Sequence, residues 1–428
     1  IENEETLIQL ITAIFHTNLV NAKAHLSLSD LIRNYRLIEL ILSKAEGNTA
    51  SQLFEDKYEL PVTAYMELAF SIYIFLNHRY SEGDFSNRIN LIKDGFENLP
   101  ETYRMLKVFL ESMSACGSYQ FRDSESLYNF ARIWKSPVLK YSEDCYQVLD
   151  LGLFVEKNLR YPFLFFESPY LKDPHLTATK ENLDLRSKAL GTAYEEQISR
   201  LFSSIGKESL ETIDNNGNEI ADLLFFEKNS LVVVEAKSGY IPIGKIGGGI
   251  NAKLIEDLLS KVGVEYPGQD EYRHLPKEKR KGLLQIIQTY FRIVNQETLS
   301  SLPPDLIANM PDINNVYGVV VVQELAFTVS FLNYYLYLRN RRWLSQLDSE
   351  GKRFHIPFVI AANDINKLRN GNCSFLEAVS GYARHLEQGG VLSFRDFVDE
   401  SFNNPSEISK EEYDQFFNEN IKGKYLQR

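Results

Sequence analysis

The chain has 428 residues, of which 44% are hydrophobic, 24% charged and 12% aromatic, with a formal net charge of −12. That length is more than one ordinary domain needs, and it lets about three quarters of the extended surface be buried without disulfide or metal staples. The balance excludes collagen-like, disulfide-framework and wholly disordered classes, and the excess of acid argues against a surface that is basic throughout.

The acid is unevenly spread. Between Arg395 and Glu419, Asp396, Asp399, Glu400, Glu407, Glu411, Glu412, Asp414 and Glu419 face only Arg395 and Lys410, so half of the net charge sits near the C-terminus. Two short basic clusters stand against it: Arg273, Lys277, Lys279, Arg280 and Lys281, and then Arg339, Arg341 and Arg342 beside Trp343. Either could track phosphates, and either could be a solvated helix end. Three cysteines, Cys116, Cys145 and Cys373, are odd in number and far apart, which fits a reducing cytoplasm. The first residues are acidic where a secretory signal carries base, and the longest apolar stretch, 316–338, is broken by Gln323 and Glu324, so no membrane span is expected.

Residues 1–160 repeat apolar side chains at three- and four-residue spacing, as in Leu7-Ile8-Leu10-Ile11-Ile14 and Leu37-Ile38-Leu40-Ile41-Leu42, and predict an all-α N-terminal domain. A connector rich in Pro and aromatics follows at 161–170. An amphipathic helix is expected over 185–205, strands over 220–226 and 231–236, a helix over 282–295, a strand over 316–322, a helix to about 338 and a strand over 356–361. This is mixed α/β, and 371–428 reads as a helical, acidic C-terminal segment.

The pair of strands carries the chemistry. Two apolar runs, Ile220–Glu227 and Ser230–Lys237, flank Lys228-Asn229, which is a β-hairpin signature. Closing the turn there sets Asp222 directly opposite Glu235, and the two-residue alternation of a strand puts Lys237 on the same face. Two like charges so placed repel unless a cation sits between them. A hard divalent ion fits, since it takes carboxylates, a backbone carbonyl such as that of Ala236, and water, while a lysine can orient water or stabilise developing phosphorane charge.

Asp222 followed by Glu235-Ala236-Lys237 resembles the motif of the PD-(D/E)xK, or restriction-endonuclease-like, nuclease superfamily; Ala221 stands where that pattern has Pro. The resemblance covers 185–370 and implies a mixed central sheet flanked by helices. It also implies Asp222, Glu235 and the Ala236 carbonyl as ligands of Mg²⁺, with Mn²⁺ as an alternative, and Lys237 as the catalytic lysine. The helix Gly191–Phe202 is similar to the first helix of Mrr-like nucleases, where a glycine precedes an aromatic-Glu pair; this maps onto Gly191 and Tyr194-Glu195 and makes Glu195 a further metal-site acid. Glu196, one turn before Arg200, reads as a solvent pair. The helix from Gly282 resembles the glutamine-bearing helix of such families. Gln288 lies at the edge of its apolar arc and is the preferred candidate over Gln285, although neither has the family's Gln-xxx-Tyr spacing.

The implied function is a metal-dependent endonuclease or exonuclease hydrolysing phosphodiester bonds, with DNA as substrate and RNA left open, and with a role in bacterial anti-phage defence. The alternative is a catalytically degenerate nuclease fold that binds nucleic acid or a protein. The N-terminal domain is expected to mediate self-association or regulation. Gly239–Lys245 satisfies GxxxxGK, but Ile246 stands where a phosphate-binding loop needs Ser or Thr, and Gly247-Gly248-Gly249 reads as a loop over the site.

Overall fold

The computed structural model describes residues 28–44, 51–52, 54–56, 58–91, 99–115, 136–155, 157–158, 180–213, 217, 219–238, 259–260, 262–276, 280–294, 302–323, 329–347, 351–371, 373–403 and 406–422. They fall into two compact units, one within Val20–Ala193 and Ile408–Arg428, the other within Tyr194–Ile241 and Ile250–Glu407. The connector at 161–170, the GxxxxGK stretch, Gly247-Gly248-Gly249, Cys116, Lys277 and Lys279 lie outside the described residues.

The first unit holds helices α1 (Leu28–Leu42), α2 (Val62–Ser81) and α3 (Pro100–Ser112). Pro61 precedes α2, a position where its missing N–H costs no hydrogen bond. Helix α2 buries Tyr65, Leu68, Phe70 and Ile72 on several sides, and its buried Glu67 accepts from the Tyr35 hydroxyl at 2.7 Å. The expectation of an all-helical region is corrected here. Strands β1 (Arg88–Asn90), β2 (Ser114–Ala115), β3 (Val138–Ser142) and β4 (Cys145–Val148) form a sheet in the order β1-β4-β3-β2. These strands have two to five residues, too few to impose a period on a helical-looking background, and only the burial of Tyr146 and Val148 between less buried neighbours betrays the alternation.

In the second unit the order is α4 (Lys180–Ser204), β5 (Leu223–Glu227), β6 (Ser230–Lys237), α5 (Gln269–His274), α6 (Leu283–Val294), α7 (Pro304–Asn309), β7 (Asn315–Val322), α8 (Leu332–Leu347), β8 (Arg353–Phe354), β9 (Phe358–Ala361), α9 (Ala362–Asn370), α10 (Phe375–Glu387) and α11 (Phe394–Ser401). Helix α4 is the element in which the boundary between the units falls. The sheet is mixed: β5 pairs β6 antiparallel, while β6–β7, β7–β8 and β7–β9 are parallel. Strands β6 and β7 are almost wholly buried and read as continuous Val runs, as parallel strands covered on both faces must.

Helices take both faces. Gly318 of β7 lies under α6, where an added Cβ would sit 2.5 Å from Ile286 and from the Tyr290 hydroxyl, so glycine sets the close approach of helix to sheet. Val233 pairs with Gly318, which puts Val233, Glu235 and Lys237 on the α6 side. The other face carries Phe225 against Phe202 of α4, and Phe358 against Tyr382 of α10 and Phe394 of α11. The edge strand β9 is closed by one side chain: buried Asn333 accepts from Val359 N and donates to Val359 O, at 2.8 and 2.9 Å. A satisfied edge offers no template for further pairing.

The acidic tail divides. Helices α10 and α11 belong to the sheet unit, whereas α12 (Lys410–Asn420) belongs to the first unit and inserts Phe416 against Tyr35 and Phe70. Among the described residues no helix is long and apolar enough to cross a membrane.

Candidate active site

The hairpin closes as the residues dictate. Lys228 and Asn229 take φ of 45° and 61°, the left-handed pair that a two-residue turn between twisted strands requires. The register runs from Glu227↔Ser230 to Leu223↔Val234. One step further would pair Asp222 with Glu235, but the ladder ends at Leu223. In place of a backbone bond, the Asp222 carboxylate accepts the Ala236 N–H at 2.6 Å. The fixed carboxylate stands at the carboxyl ends of parallel strands, where open α/β sheets place their ligands.

Lys237 joins the two acids. Its ammonium donates to Glu235 Oε2 at 2.7 Å and lies 3.6 Å from Asp222 Oδ2. Glu235 is 1% exposed, so removal from water, only partly offset by Lys237, pushes its carboxyl up to about 8, with Asp222 adding to the rise. Burial works to lower the Lys237 pKa, but Glu235 and Asp222 outweigh it and hold the ammonium above its ordinary range. Burial thus favours a proton on Glu235, while the neighbouring acids favour the charged form of Lys237.

Glu195 comes from α4, two turns before Phe202. It is an exposed residue within electrostatic reach of Asp222 and Glu219; partial desolvation first and these carboxylates second raise its carboxyl. Its helix neighbours Ile198 and Phe202 are buried, and Glu196 pairs with Arg200 at 2.6 Å, as the helical spacing predicts. Glu219 is a residue that the sequence reading missed. Bridged to Ile213 three residues before Asp222, it has its carboxyl raised by desolvation and then by Asp222, and it contributes to the fields at Glu195 and Glu235. Its only sequence signal was an acid just ahead of Ile220-Ala221-Asp222.

The donor set suits a hard cation. Its oxygens are carboxylates, the ligand type that hard divalent ions take. Among the described residues no group of three or more His, Cys, Asp or Glu side chains is placed to hold a metal ion; Asp222 is held by Ala236 N–H and Glu235 by Lys237.

Gln288, on α6, accepts the Tyr266 hydroxyl at 2.6 Å, and Gln285 accepts the Gly282 N–H at 3.0 Å. Of the first basic cluster, Arg273 and Lys281 are exposed, and the Arg280 guanidinium is fixed by donating to Leu275 O and Arg273 O while lying 5.5 Å over the Tyr272 ring. Burial, foremost, raises the Tyr272 hydroxyl, Arg280 works against it, and Glu235 and Lys237 are within electrostatic reach of it. In the second cluster Arg339 and Arg342 pair with Glu265 at 3.0 and 2.7 Å, and Arg341 is exposed. Comparison with protein-family models, with curated proteins and with solved structures finds no match to this chain.

Proposed function

We propose that this protein is a metal-dependent nuclease of the restriction-endonuclease-like type, hydrolysing phosphodiester bonds in DNA. The observation that carries the reading is the convergence of Asp222, Glu235 and Lys237 at the carboxyl end of the central strand, with Glu195 and Glu219 nearby and Lys237 as the cation among them.

Asp222, Glu235 and Glu195 are the groups that would hold Mg²⁺ or Mn²⁺. Such an ion, when bound, supplies the positive charge that polarises water and neutralises a phosphodiester in its transition state. Glu235 must give up its proton before it can act as a ligand. Lys237 then keeps its ammonium beside ionised carboxylates and, being 22% exposed, can donate to the attacking water or to a non-bridging phosphate oxygen. Asp222 keeps its orientation through the Ala236 N–H. The wall of Arg273, Arg280 and Lys281 offers the phosphate track; Arg339 and Arg342 already have a carboxylate partner in Glu265.

The test is cleavage of plasmid, single-stranded DNA and RNA by the full chain with Mg²⁺, Mn²⁺ or chelator. Metal-dependent hydrolysis that falls by about 10³-fold or more in both Asp222→Asn and Lys237→Ala is expected. In the same assay Arg280→Ala should raise KM several-fold and reduce the salt slope by about one, with kcat unchanged. Retention of nucleic acid without cleavage under either metal would instead fit a degenerate binding protein.

A further inference from the structure

The geometry points to Thr289 as a positioning residue for Asp222, acting through the carbonyl of Ile220. The proposal rests on the reading of Asp222 given above and deepens it by naming what holds that side chain in place.

Thr289 lies on α6 with 3% exposure, in the buried arc of Ile286, Ile287 and Tyr290. A hydroxyl there must find an acceptor. Threonine inside a helix ordinarily donates back to the carbonyl four residues earlier. That partner, Gln285 O, is 3.1 Å away, whereas Ile220 O, on the chain leading into β5, is 2.6 Å away. The single hydroxyl proton goes to the shorter, cross-chain contact.

Ile220 is thereby held at both peptide groups, since its N–H donates to Thr212 O at 2.9 Å. Asp222 follows two residues later, ahead of the first ladder pair Leu223↔Val234. Its backbone is fixed from downstream by the hairpin and from upstream by Ile220, and its carboxylate is fixed from the side by Ala236 N–H. The helix that covers the Glu235 and Lys237 face thus also sets the approach to the opposing acid. Thr289→Val keeps the shape and removes the donor; Thr289→Ser keeps the donor and removes a methyl.

The experiment is amide hydrogen exchange by NMR on the metal-free full chain, comparing Ala236 with Val320 in the buried middle of β7, together with Mn²⁺ titration of the same variants. Thr289→Val should speed exchange at Ala236 by about tenfold while leaving Val320 within about twofold, and Thr289→Ser should restore it. Mn²⁺ affinity should fall by about tenfold in Thr289→Val and recover in Thr289→Ser. Equal acceleration at Ala236 and Val320, or none at Ala236, overturns the positioning role. If Ala236 follows Thr289 as stated but the wild type takes up no Mn²⁺, the positioning role stands and the cation-site reading falls.

Discussion

The second unit buries charge in two places, and they are built differently. At the start of α9, Asp364 is fully enclosed, accepts from Ala361 N at 2.8 Å and from Arg395 Nε at 3.0 Å, and Arg395 continues to Glu407 at 2.7 Å, with Lys367 paired to Asp399 nearby. There Arg395 serves both Asp364 and Glu407, Asp364 also has a backbone donor, and Asp399 has Lys367. At the hairpin, four acids lie around one cation among the described residues: Lys237 acts on Glu195, Glu219 and Glu235 and lies 3.6 Å from Asp222. Burial raises Asp364 and Glu235 alike, and a cation counters it at each, Arg395 at Asp364 and Lys237 at Glu235; Asp364 has a backbone N–H besides and one neighbouring acid, Glu407, where Glu235 has two, Asp222 and Glu219. A network of paired charges braces a fold, whereas acids gathered around one lysine at a strand end make a candidate functional site.

Substitutions should separate the two. Arg395→Met strands buried Asp364 and should cost about 3 kcal/mol in denaturant unfolding, with cleavage per folded molecule unchanged. The next effect is pH dependence. Glu235 binds its proton more tightly folded than unfolded, so its contribution is fully present below its ordinary value of 4.5 and is lost as pH rises toward about 8. The metal-free chain should therefore melt lower at pH 8.5 than at pH 5.5, by a few degrees, and Glu235→Gln should flatten that slope in a calorimetric scan. The smallest effect should be that of Asp222→Asn, which keeps an acceptor for Ala236 N–H but takes a counter-charge from Lys237. Without metal it should lose about 1 kcal/mol, less than Arg395→Met.

The hairpin was legible because its information is local: two apolar runs and a two-residue turn fix the register, and the register fixes which acids face each other. The apolar arc of α6 was legible for the same reason, since Leu283, Leu284, Ile286, Ile287, Tyr290 and Phe291 are all buried. What failed to show was long-range or too short. The strands around Tyr146 fall below the length at which a period can be read. Glu219 joins the cluster only because the chain folds back at Ile213, and Thr289 matters only because a helix lies over residue 220. The tail divided between units because Phe416 finds Tyr35 and Phe70, a contact that no local pattern encodes. Of the two basic clusters, charge count could not tell that Glu265 would occupy Arg339 and Arg342.

The most direct test of the central proposal, that the hairpin cluster binds one divalent cation, is titration calorimetry with Mn²⁺ on the full chain at pH 6, 7 and 8. Saturable binding is expected, tightening by up to about tenfold per pH unit as Glu235 sheds its proton, lost in Asp222→Asn and kept in Arg395→Met. Absence of saturable binding at pH 8, or binding that Asp222→Asn leaves intact, would contradict it.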